Sequence, residues 1–348
     1  MEKCKLCLKN DADDTGSHIV PHFLLKRIFN VANAKGRDQE ISFKLTAFDI
    51  ESHFGRSVQP EKLEEVFGEL TDEELEKKAM ADLVVNHEWC KACEKKFADL
   101  ESFYSKTLEI DQQEPYQSTR DALGAMMFWL SILWRTSVTD NTSFQLSDKD
   151  ERKIRTLLNE YQPGQSNEEF IAKFAHILDE IHYKVYRSPD YYKKVGHSMG
   201  TFLYMGKQRQ PYTFIVDEFV VMVYLKTKHL KEHQQMFFGL EKLEAEPNNY
   251  LNGEFVYPLN VADFSVYMER FVESIKQLRL RAYNNNLDKL YRKIGHKGTL
   301  PEHIRAEVLA QITKDETRLG RKYTYADFVK CTTEVFLKHH LELRQIKR

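Results

Sequence analysis

Four of the five cysteines in this 348-residue chain fall into two pairs with the same spacing. The first pair is Cys4 and Cys7, and the second is Cys90 and Cys93. Two thiolates separated by two residues can hold one metal ion from a single tight turn, and two such pairs complete the tetrahedral shell that zinc favours. The spacing therefore predicts one structural zinc ion held by all four cysteines.

The spacing of the cysteines and the length of the apolar runs also indicate in which cellular compartment the protein is expected. The paired spacing is typical of metal ligands in a reducing compartment, whereas Cys331 stands alone and is expected to be a buried small residue of a helix. The first pair follows Met1 so closely that we expect no signal peptide. The longest apolar run, Ala122 to Leu133, is too short to span a bilayer about 30 Å thick. We therefore expect a cytoplasmic protein that contacts no membrane.

Composition predicts a large folded protein without a strong global charge. Hydrophobic residues make up 42% of the chain, which suffices for sizeable cores and favours two domains. The 51 Lys and Arg residues nearly balance the 53 Asp and Glu residues, giving a net charge of -2. Any surface that binds nucleic acid must therefore be a local basic patch.

Periodicity predicts a helix-dominated α+β protein with two domains. A polar run that ends at Pro115 places a boundary near residue 112, which gives an N-terminal zinc module at 1–112 and a mainly helical domain at 113–348. Within the first domain, 41–46 reads as a strand, and a pair of short helices at about 60–82 reads as an insertion.

The second domain is expected to be helical around a small sheet. The segment 118–138 is apolar on nearly every side, which predicts a buried central helix. Further helices are expected at 147–161, with Ser147 as the N-cap, at 167–187, and from 262 to the end, with breaks. The pattern of apolar residues in the remaining segments predicts a hairpin formed by 201–205 and 212–216, and a strand at 255–257. For residues 218–225 the same pattern fits either a strand or a helix.

The order of elements around the cysteines matters for function. A first cysteine pair in a knuckle, a strand region, and a second pair at the first turn of a helix form the layout of a treble-clef zinc site. The helix after Cys93 runs to about Leu108 in this reading. The residues next to the two pairs are therefore the first place to look for chemistry.

Two segments near these cysteines resemble a known family. The sequences Ser17-His18-Ile19-Val20-Pro21 and Cys90-Lys91-Ala92-Cys93-Glu94 are similar to the HNH, or ββα-metal, nuclease superfamily. The pattern resembles in particular a bacterial group with CxxC, SHIIP and CxxCE motifs, followed by a helix like residues 130–138. The resemblance implies a metal-dependent endonuclease that hydrolyses phosphodiester bonds in DNA, and a role as an effector of bacterial anti-phage (antiviral) defence.

The resemblance also implies roles for individual residues. His18 occupies the position of the general base, a role that suits an imidazole with an ordinary pKa near 6.5. Asn86 stands where HNH modules carry an asparagine that braces the loop of the base. Glu94 follows the last cysteine and offers a hard oxygen ligand to a catalytic Mg²⁺ or Mn²⁺ ion. Ser17 departs from the pattern, because many HNH enzymes carry an acidic residue there.

Basic residues near the second cysteine pair are candidates for phosphate contacts: Arg56, Lys91 and Lys95. Glu101 lies two helical turns after Glu94 and is either an orienting partner or a solvated surface residue. The segment Gly196-His197-Ser198-Met199-Gly200 fits a nucleophile-elbow pattern, but no apolar strand precedes it, so we expect no such site.

A non-catalytic interpretation stays open beside the nuclease. In it, His18 only shapes the turn before Pro21, and the zinc module binds nucleic acid or a protein partner. Ser17 and the nearly neutral net charge favour this alternative. In either interpretation the second domain is expected to bind a regulatory protein or a second copy of the chain.

Overall fold

The computed structural model describes residues 2–21, 23–24, 41–45, 50–54, 84–109, 114–139, 144–164, 166–189, 191, 203–205, 211–231, 245–319 and 325–346. The chain divides into two compact units, Met1–Gly36 with Ala81–Arg270, and Arg37–Met80 with Phe271–Arg348. The boundary expected near residue 112 falls inside the first of these units. The helical insertion expected at 60–82 lies outside the described residues.

The N-terminal part of the first unit is a short strand pair followed by a helix. Strand β1 (Ser17–His18) pairs antiparallel with β4 (Val84–Val85), so that His18 lies opposite Val84. Helix α1 (Lys91–Ser105) follows and continues into a 3₁₀ turn at Lys106–Glu109. Its buried residues repeat every three or four positions, as expected of a helix with one apolar face: Cys93, Phe97, Leu100 and Tyr104.

Helix α2 (Ala122–Val138) is the centre of this unit. Every residue from Ala122 to Thr136 is buried, which confirms the prediction of a buried central helix. The predicted start at Ser118 is wrong, because residues Tyr116–Thr119 form strand β5. The helix begins only after Asp121, whose carboxylate accepts a hydrogen bond of 2.8 Å from the backbone N–H of Gly124.

Aromatic rings join the N-terminal module to α2. The ring of Trp89 lies 5.3 Å from that of Trp134 and 5.7 Å from that of Phe97, measured between centroids. The ring of Tyr104 stacks on Phe128 at 3.9 Å. These residues belong to one continuous hydrophobic core with both cysteine pairs. For this reason α1 and α2 fold as parts of one unit.

Two more helices follow in the first unit. Helix α3 (Asp148–Glu160) begins after Ser147, whose hydroxyl accepts the N–H of Asp150, so the predicted N-cap is confirmed. Helix α4 spans Glu168–Leu178. The prediction that it continues to 187 is wrong, since residues His182–Arg187 form strand β6. In this strand Tyr183 and Val185 are buried, whereas His182 and Lys184 are half-buried.

A six-stranded sheet completes the unit. Strands β7 (Leu203–Met205), β8 (Tyr212–Val216), β9 (Phe219–Tyr224) and β10 (Glu254–Pro258) join β5 and β6 in the order β5-β10-β6-β9-β8-β7. Among the strand pairs that the structure describes in this sheet, only β10–β6 is parallel. The predicted hairpin of β7 and β8 and the strand at 255–257 are confirmed. Residues 218–225, left open by periodicity, contribute strand β9.

Glu254, at the start of β10, is a polar centre inside the core. Its side chain is fully buried and accepts hydrogen bonds from the Tyr104 hydroxyl, the Ser118 hydroxyl and the Trp129 indole, at 2.7 to 2.8 Å. Burial raises the pKa of this carboxyl, and the hydrogen bonds oppose that shift. The carboxyl therefore ties α1, α2, β5 and β10 together at one point.

The second unit contains a strand pair and a group of helices. Strands β2 (Ile41–Leu45) and β3 (Ile50–Phe54) form an antiparallel hairpin, and the strand predicted at 41–46 is confirmed. Helix α5 (Val261–Lys293) runs from the first unit into the second and is followed by α6 (Glu302–Leu319), α7 (Tyr325–Lys338) and α8 (His340–Ile346). Cys331 is buried within α7, as predicted. None of the helices described is both long and apolar enough to cross a membrane.

Candidate metal centre and active site

The four paired cysteines meet in space. Their sulfur atoms all lie within 4.8 Å of one another, and the Sγ atoms of Cys7 and Cys90 are 3.9 Å apart. Sulfur ligands at about 2.3 Å from a tetrahedral zinc ion lie roughly 3.8 Å from each other. The four thiols can therefore hold a metal ion, although 82 residues, from 8 to 89 (89 minus 8 plus 1), separate the two pairs.

The charge interactions among the four thiols favour the binding of a cation. The thiolate of Cys4 accepts a hydrogen bond from Cys93, which lowers the pKa of Cys4 to about 4 and raises the pKa of Cys93. Buried thiolates at these separations repel one another, so all four can ionise together only beside a positive ion. The amide of Asn10 donates to Cys90 Sγ at 3.5 Å, as expected of a group that supports a thiolate ligand.

Backbone hydrogen bonds shape the turn that carries the first pair. The N–H of Cys4 donates to the carbonyl of Asn10, and the N–H of Leu8 donates to the carbonyl of Cys4, both at 2.9 Å. Leu8 has a φ of 57°, a left-handed conformation that closes the turn. The N–H of Lys5 then donates to the carbonyl of Glu88 at 3.0 Å, which joins the turn to the second pair.

The aspartate-rich loop between the first pair and β1 is fixed to the start of α1. The carboxylate of Asp13 accepts the backbone N–H of Lys91 at 3.1 Å. The N–H of Asp14 donates to the carbonyl of Trp89 at 3.1 Å, and the carbonyl of Asp14 accepts the N–H of His87 at 2.8 Å. A carboxylate of the chain itself therefore occupies part of the helix end that attracts anions.

The residues around His18 are held by two further contacts. The side-chain oxygen of Asn86 accepts the backbone N–H of Gly16 at 2.8 Å, two residues before His18. The hydroxyl of Ser17 donates to Asp14 Oδ2, also at 2.8 Å. His18 itself is half-buried on β1. The loop that presents its imidazole is thus held from both the Asn86 side and the Asp14 side.

Glu94 lies in the first turn of α1 and is half-buried. Burial raises the pKa of its carboxyl, the nearby charges of Asp14 and Glu101 raise it further, and Arg135 and Ser17 oppose the rise. Its Oε2 atom is buried and has no hydrogen-bond partner among the residues that the structure describes. A buried carboxylate oxygen without a partner indicates a place where an ion or an ordered water belongs.

Arg135, near the end of α2, reaches into the same region from the other side. Its guanidinium is fully buried, pairs with Glu101 at 2.8 Å and donates to the backbone carbonyl of His18 at 2.8 Å. It also lies 4.7 Å from the centre of the Phe97 ring. Glu101 is therefore the ion-pair partner of a buried arginine, and not a solvated surface residue. Sequence reasoning gave Arg135 no role, although an arginine in a helix that is buried all round requires a partner.

The charges in this region do not cancel. Asp14, Glu94 and Glu101 contribute three carboxylates, and Arg135 contributes one guanidinium. Three negative charges minus one positive charge leave two negative charges when all are ionised. A divalent cation would balance them, and carboxylate oxygens are the ligands that Mg²⁺ prefers.

Of the three basic residues that the sequence suggests for phosphate contact, two are exposed on α1 and one lies outside the described residues. Lys95 is exposed and pairs with Asp99 on the same helix at 3.0 Å. Lys91 is exposed at the start of α1, and Arg56 lies outside the described residues. A surface pair such as Lys95 with Asp99 contributes only about 0.3 to 0.5 kcal/mol, so Lys95 stays accessible to an anion.

Lys96, in contrast, joins α1 to α3. Its ammonium group donates to the carbonyls of Leu158 and Asn159 at 3.3 and 2.6 Å, at the C-terminal end of α3. Replacing Lys96 with methionine should lower the free energy of unfolding by about 1 to 2 kcal/mol, because these carbonyls lose a charged donor. Urea denaturation measures this change. The matched Lys95→Met variant should stay within about 0.5 kcal/mol of the wild type, and equal stability of the two variants would contradict the contact.

No family model, curated protein or solved structure matches this chain.

Proposed function

We propose that this protein is a metal-dependent HNH-type endonuclease that hydrolyses phosphodiester bonds in DNA. The observation that supports the proposal is that the Glu94 carboxyl lies close enough to Asp14 for their charges to interact, while Ser17, which hydrogen-bonds to Asp14, directly precedes His18 on strand β1. Asp14 and Glu94 would contribute two negative charges when both are ionised, and the Oε2 atom of Glu94 is buried without a hydrogen-bond partner among the described residues. This combination suits a divalent cation beside a histidine.

The four-thiol cluster has a structural role in this proposal, with zinc as its metal. An all-sulfur donor set with these separations fits Zn²⁺, which favours four thiolates in closed structural sites. The ion would hold the first turn of α1 against the turn at Cys4 and Cys7. Glu94, the residue after Cys93, is thereby fixed with its carboxylate toward Asp14.

Asp14 supplies the acidic group that the family pattern places at position 17. The hydroxyl of Ser17 donates to Asp14 Oδ2 at 2.8 Å, so the serine orients the carboxylate that stands in for its own missing acid. Asp14 and Glu94 would hold a Mg²⁺ or Mn²⁺ ion, since both ions bind carboxylate oxygens readily. When bound, the ion supplies positive charge next to the scissile phosphate.

The residues of the chain divide the remaining tasks. His18 accepts the proton of the attacking water, because a neutral imidazole is a competent base near neutral pH. Asn86 and Arg135 hold the backbone on either side of His18, through Gly16 and through the His18 carbonyl. Lys91 and Lys95 are exposed cations near the start of α1 and would contact the DNA backbone.

The biological setting is part of the same proposal. A cytoplasmic protein that cleaves DNA as an effector of anti-phage defence requires control of its activity. Residues 113–348 would provide that control by binding a regulatory protein or a second copy of the chain. Only the resemblance of the two motif segments supports the defence role.

The test is cleavage of plasmid DNA with Mg²⁺ or Mn²⁺. The wild type should cleave, and His18→Ala should lower the rate at least about 100-fold, because general-base catalysis contributes 10²- to 10⁴-fold. Glu94→Gln should be equally impaired through loss of the ion. His176→Ala, a change of an exposed histidine on α4, is the matched control and should leave the rate unchanged.

Two results would overturn the nuclease proposal. One is the absence of cleavage by wild-type protein with either ion, and the other is undiminished cleavage by His18→Ala. If cleavage is absent while the four thiols still hold one metal ion per chain, the non-catalytic binding module becomes the better interpretation. A gel-shift measurement with the same DNA would then show whether the module binds nucleic acid.

A further inference from the structure

A second group of side chains that could hold a metal ion lies in the second unit, on helices α6 and α8 and at the junction between α7 and α8. His303 and Glu307 are one turn apart on α6 and share a face. His339 stands at the junction of α7 and α8, and Glu342 follows it by three residues. Two histidine–carboxylate pairs thus meet from separate helices, an arrangement that periodicity within either helix does not reveal.

The donor atoms of three of these residues converge. The ring nitrogens of His303 and His339 and a carboxylate oxygen of Glu342 lie within 4.8 Å of one another. His339 Nδ1 is 3.3 Å from Glu342 Oε2, and His303 Nε2 is 2.8 Å from Glu342 Oε1. Nitrogen and oxygen ligands at about 2.0 to 2.1 Å from a tetrahedral zinc ion lie roughly 3.3 Å apart. Small side-chain movements would bring all three onto one ion.

Glu307 prepares His339 for this role. Its Oε2 atom lies 2.7 Å from His339 Nε2, and Lys338 pairs with its other oxygen. With the Nε2–H group donating to Glu307, Nδ1 is the ring nitrogen on the side of Glu342, and it could offer its lone pair to an ion that takes the place of its proton. Metal-binding histidines almost always donate their second N–H to such a carboxylate, which fixes the tautomer and the direction of the ring.

We propose that His303, His339 and Glu342 form a binding site for a divalent transition-metal ion, with zinc as the best match. Two imidazoles and one carboxylate suit zinc better than magnesium or calcium. The side chains of His303 and Glu342 are 57% and 42% exposed, so solvent can reach the ion and complete its shell. This site does not depend on the nuclease proposal, because it shares no residue with it.

The backbone beneath the site is firmly packed. The residues that directly follow His303, Glu307 and Glu342 belong to the hydrophobic core of the second unit, as do two residues one helical turn before His339: Ile304, Val308, Leu343, Val335 and Phe336. The backbone N–H of Leu343 also donates to the His339 carbonyl at 3.0 Å. The helices therefore hold the donors in place, as a specific metal site requires.

Zinc titration of tag-free protein tests the proposal. After a chelating resin has removed weakly bound metal and left the cysteine cluster filled, isothermal titration should show one further equivalent of Zn²⁺. His339→Ala should abolish this equivalent, and Glu307→Gln should weaken it about 10- to 100-fold. His340→Ala changes the adjacent exposed histidine and should leave the affinity unchanged.

Several outcomes would overturn the site. They are the absence of a further equivalent in the wild type, retention of wild-type affinity in His339→Ala, or an equal loss in His340→Ala. Circular dichroism checks that each variant keeps its helical content. If His339→Ala does not fold, His303→Ala decides, because its exposed side chain can be removed from the first turn of α6 without opening the core. Unchanged affinity in both folded histidine variants would leave only an ion-pair network at this position.

Discussion

Replacing Cys93 with serine is expected to release the metal ion from the four-thiol cluster and to destabilise the first unit severely. The thiol is buried, and the cluster supplies the contact between the turn at Cys4 and the start of α1. Structural zinc sites contribute on the order of 10 kcal/mol of apparent binding free energy, which is lost when the site cannot form. The apolar packing between α1 and α2 remains in this variant, so we expect it to lose only part of that binding free energy. The free energy of unfolding should still fall by at least about 4 kcal/mol.

Metal content and stability are measured together. The wild type should contain one zinc per chain from the cluster after chelating-resin treatment, and Cys93→Ser should contain less than about one tenth of that. Cys331→Ala removes a buried thiol outside the cluster and serves as the matched control, which should keep its zinc. Retention of the ion after both Cys90 and Cys93 become serine would show that these residues do not hold it.

Arg135→Met is expected to have the second largest effect. The substitution keeps most of the side-chain volume but leaves Glu101 and the His18 carbonyl without their donor. Breaking a buried ion pair by removing one partner lowers the free energy of unfolding by about 3 to 5 kcal/mol. If the proposed nuclease activity is observed, DNA cleavage should also fall, since the backbone of His18 loses the hydrogen bond from Arg135.

A double variant separates the effect of the unpaired Glu101 charge from the effect of the lost hydrogen bond to the His18 carbonyl. Removing the unpaired charge as well, in Arg135→Met with Glu101→Gln, should recover part of the lost stability. Cleavage should not recover with it, because the hydrogen bond to the His18 carbonyl is still missing. Arg152→Met, which changes an exposed arginine on α3, is the control and should stay within about 0.5 kcal/mol of the wild type. Wild-type stability in Arg135→Met would contradict the buried pair, and recovered cleavage in the double variant would contradict the positioning role.

The features that the sequence predicted correctly are those that depend on residues close together in the chain. Ser147 marks the start of α3 because a cap is formed by a side chain and an N–H three residues later. The segment from Ala122 to Thr136 is apolar on nearly every side, and this local pattern predicts a buried central helix for a similar reason. The spacing within each cysteine pair likewise indicates metal ligands, and the structure brings all four thiols together.

The predictions that failed concern segments where local pattern and tertiary environment disagree. Residues His182–Arg187 continue a helical pattern from α4, yet they pair with β9 and β10 in the sheet. Residues Tyr116–Thr119 likewise join β10 as a strand ahead of α2. Both segments become strands because they form hydrogen bonds with strands far along the chain. Local sequence propensity does not show which distant strands a segment will pair with.

By itself, the sequence predicted that the two cysteine pairs would meet next to Glu94 in a cluster able to hold a metal ion, and that a buried helix would follow. Only the tertiary structure decided which groups surround Glu94. Asp14 lies 80 residues before Glu94 (94 minus 14), and Arg135 lies 41 residues after it (135 minus 94). Charges act on one another through space, so a site built from distant segments is defined by the packing of α1 and α2 and not by spacing along the chain.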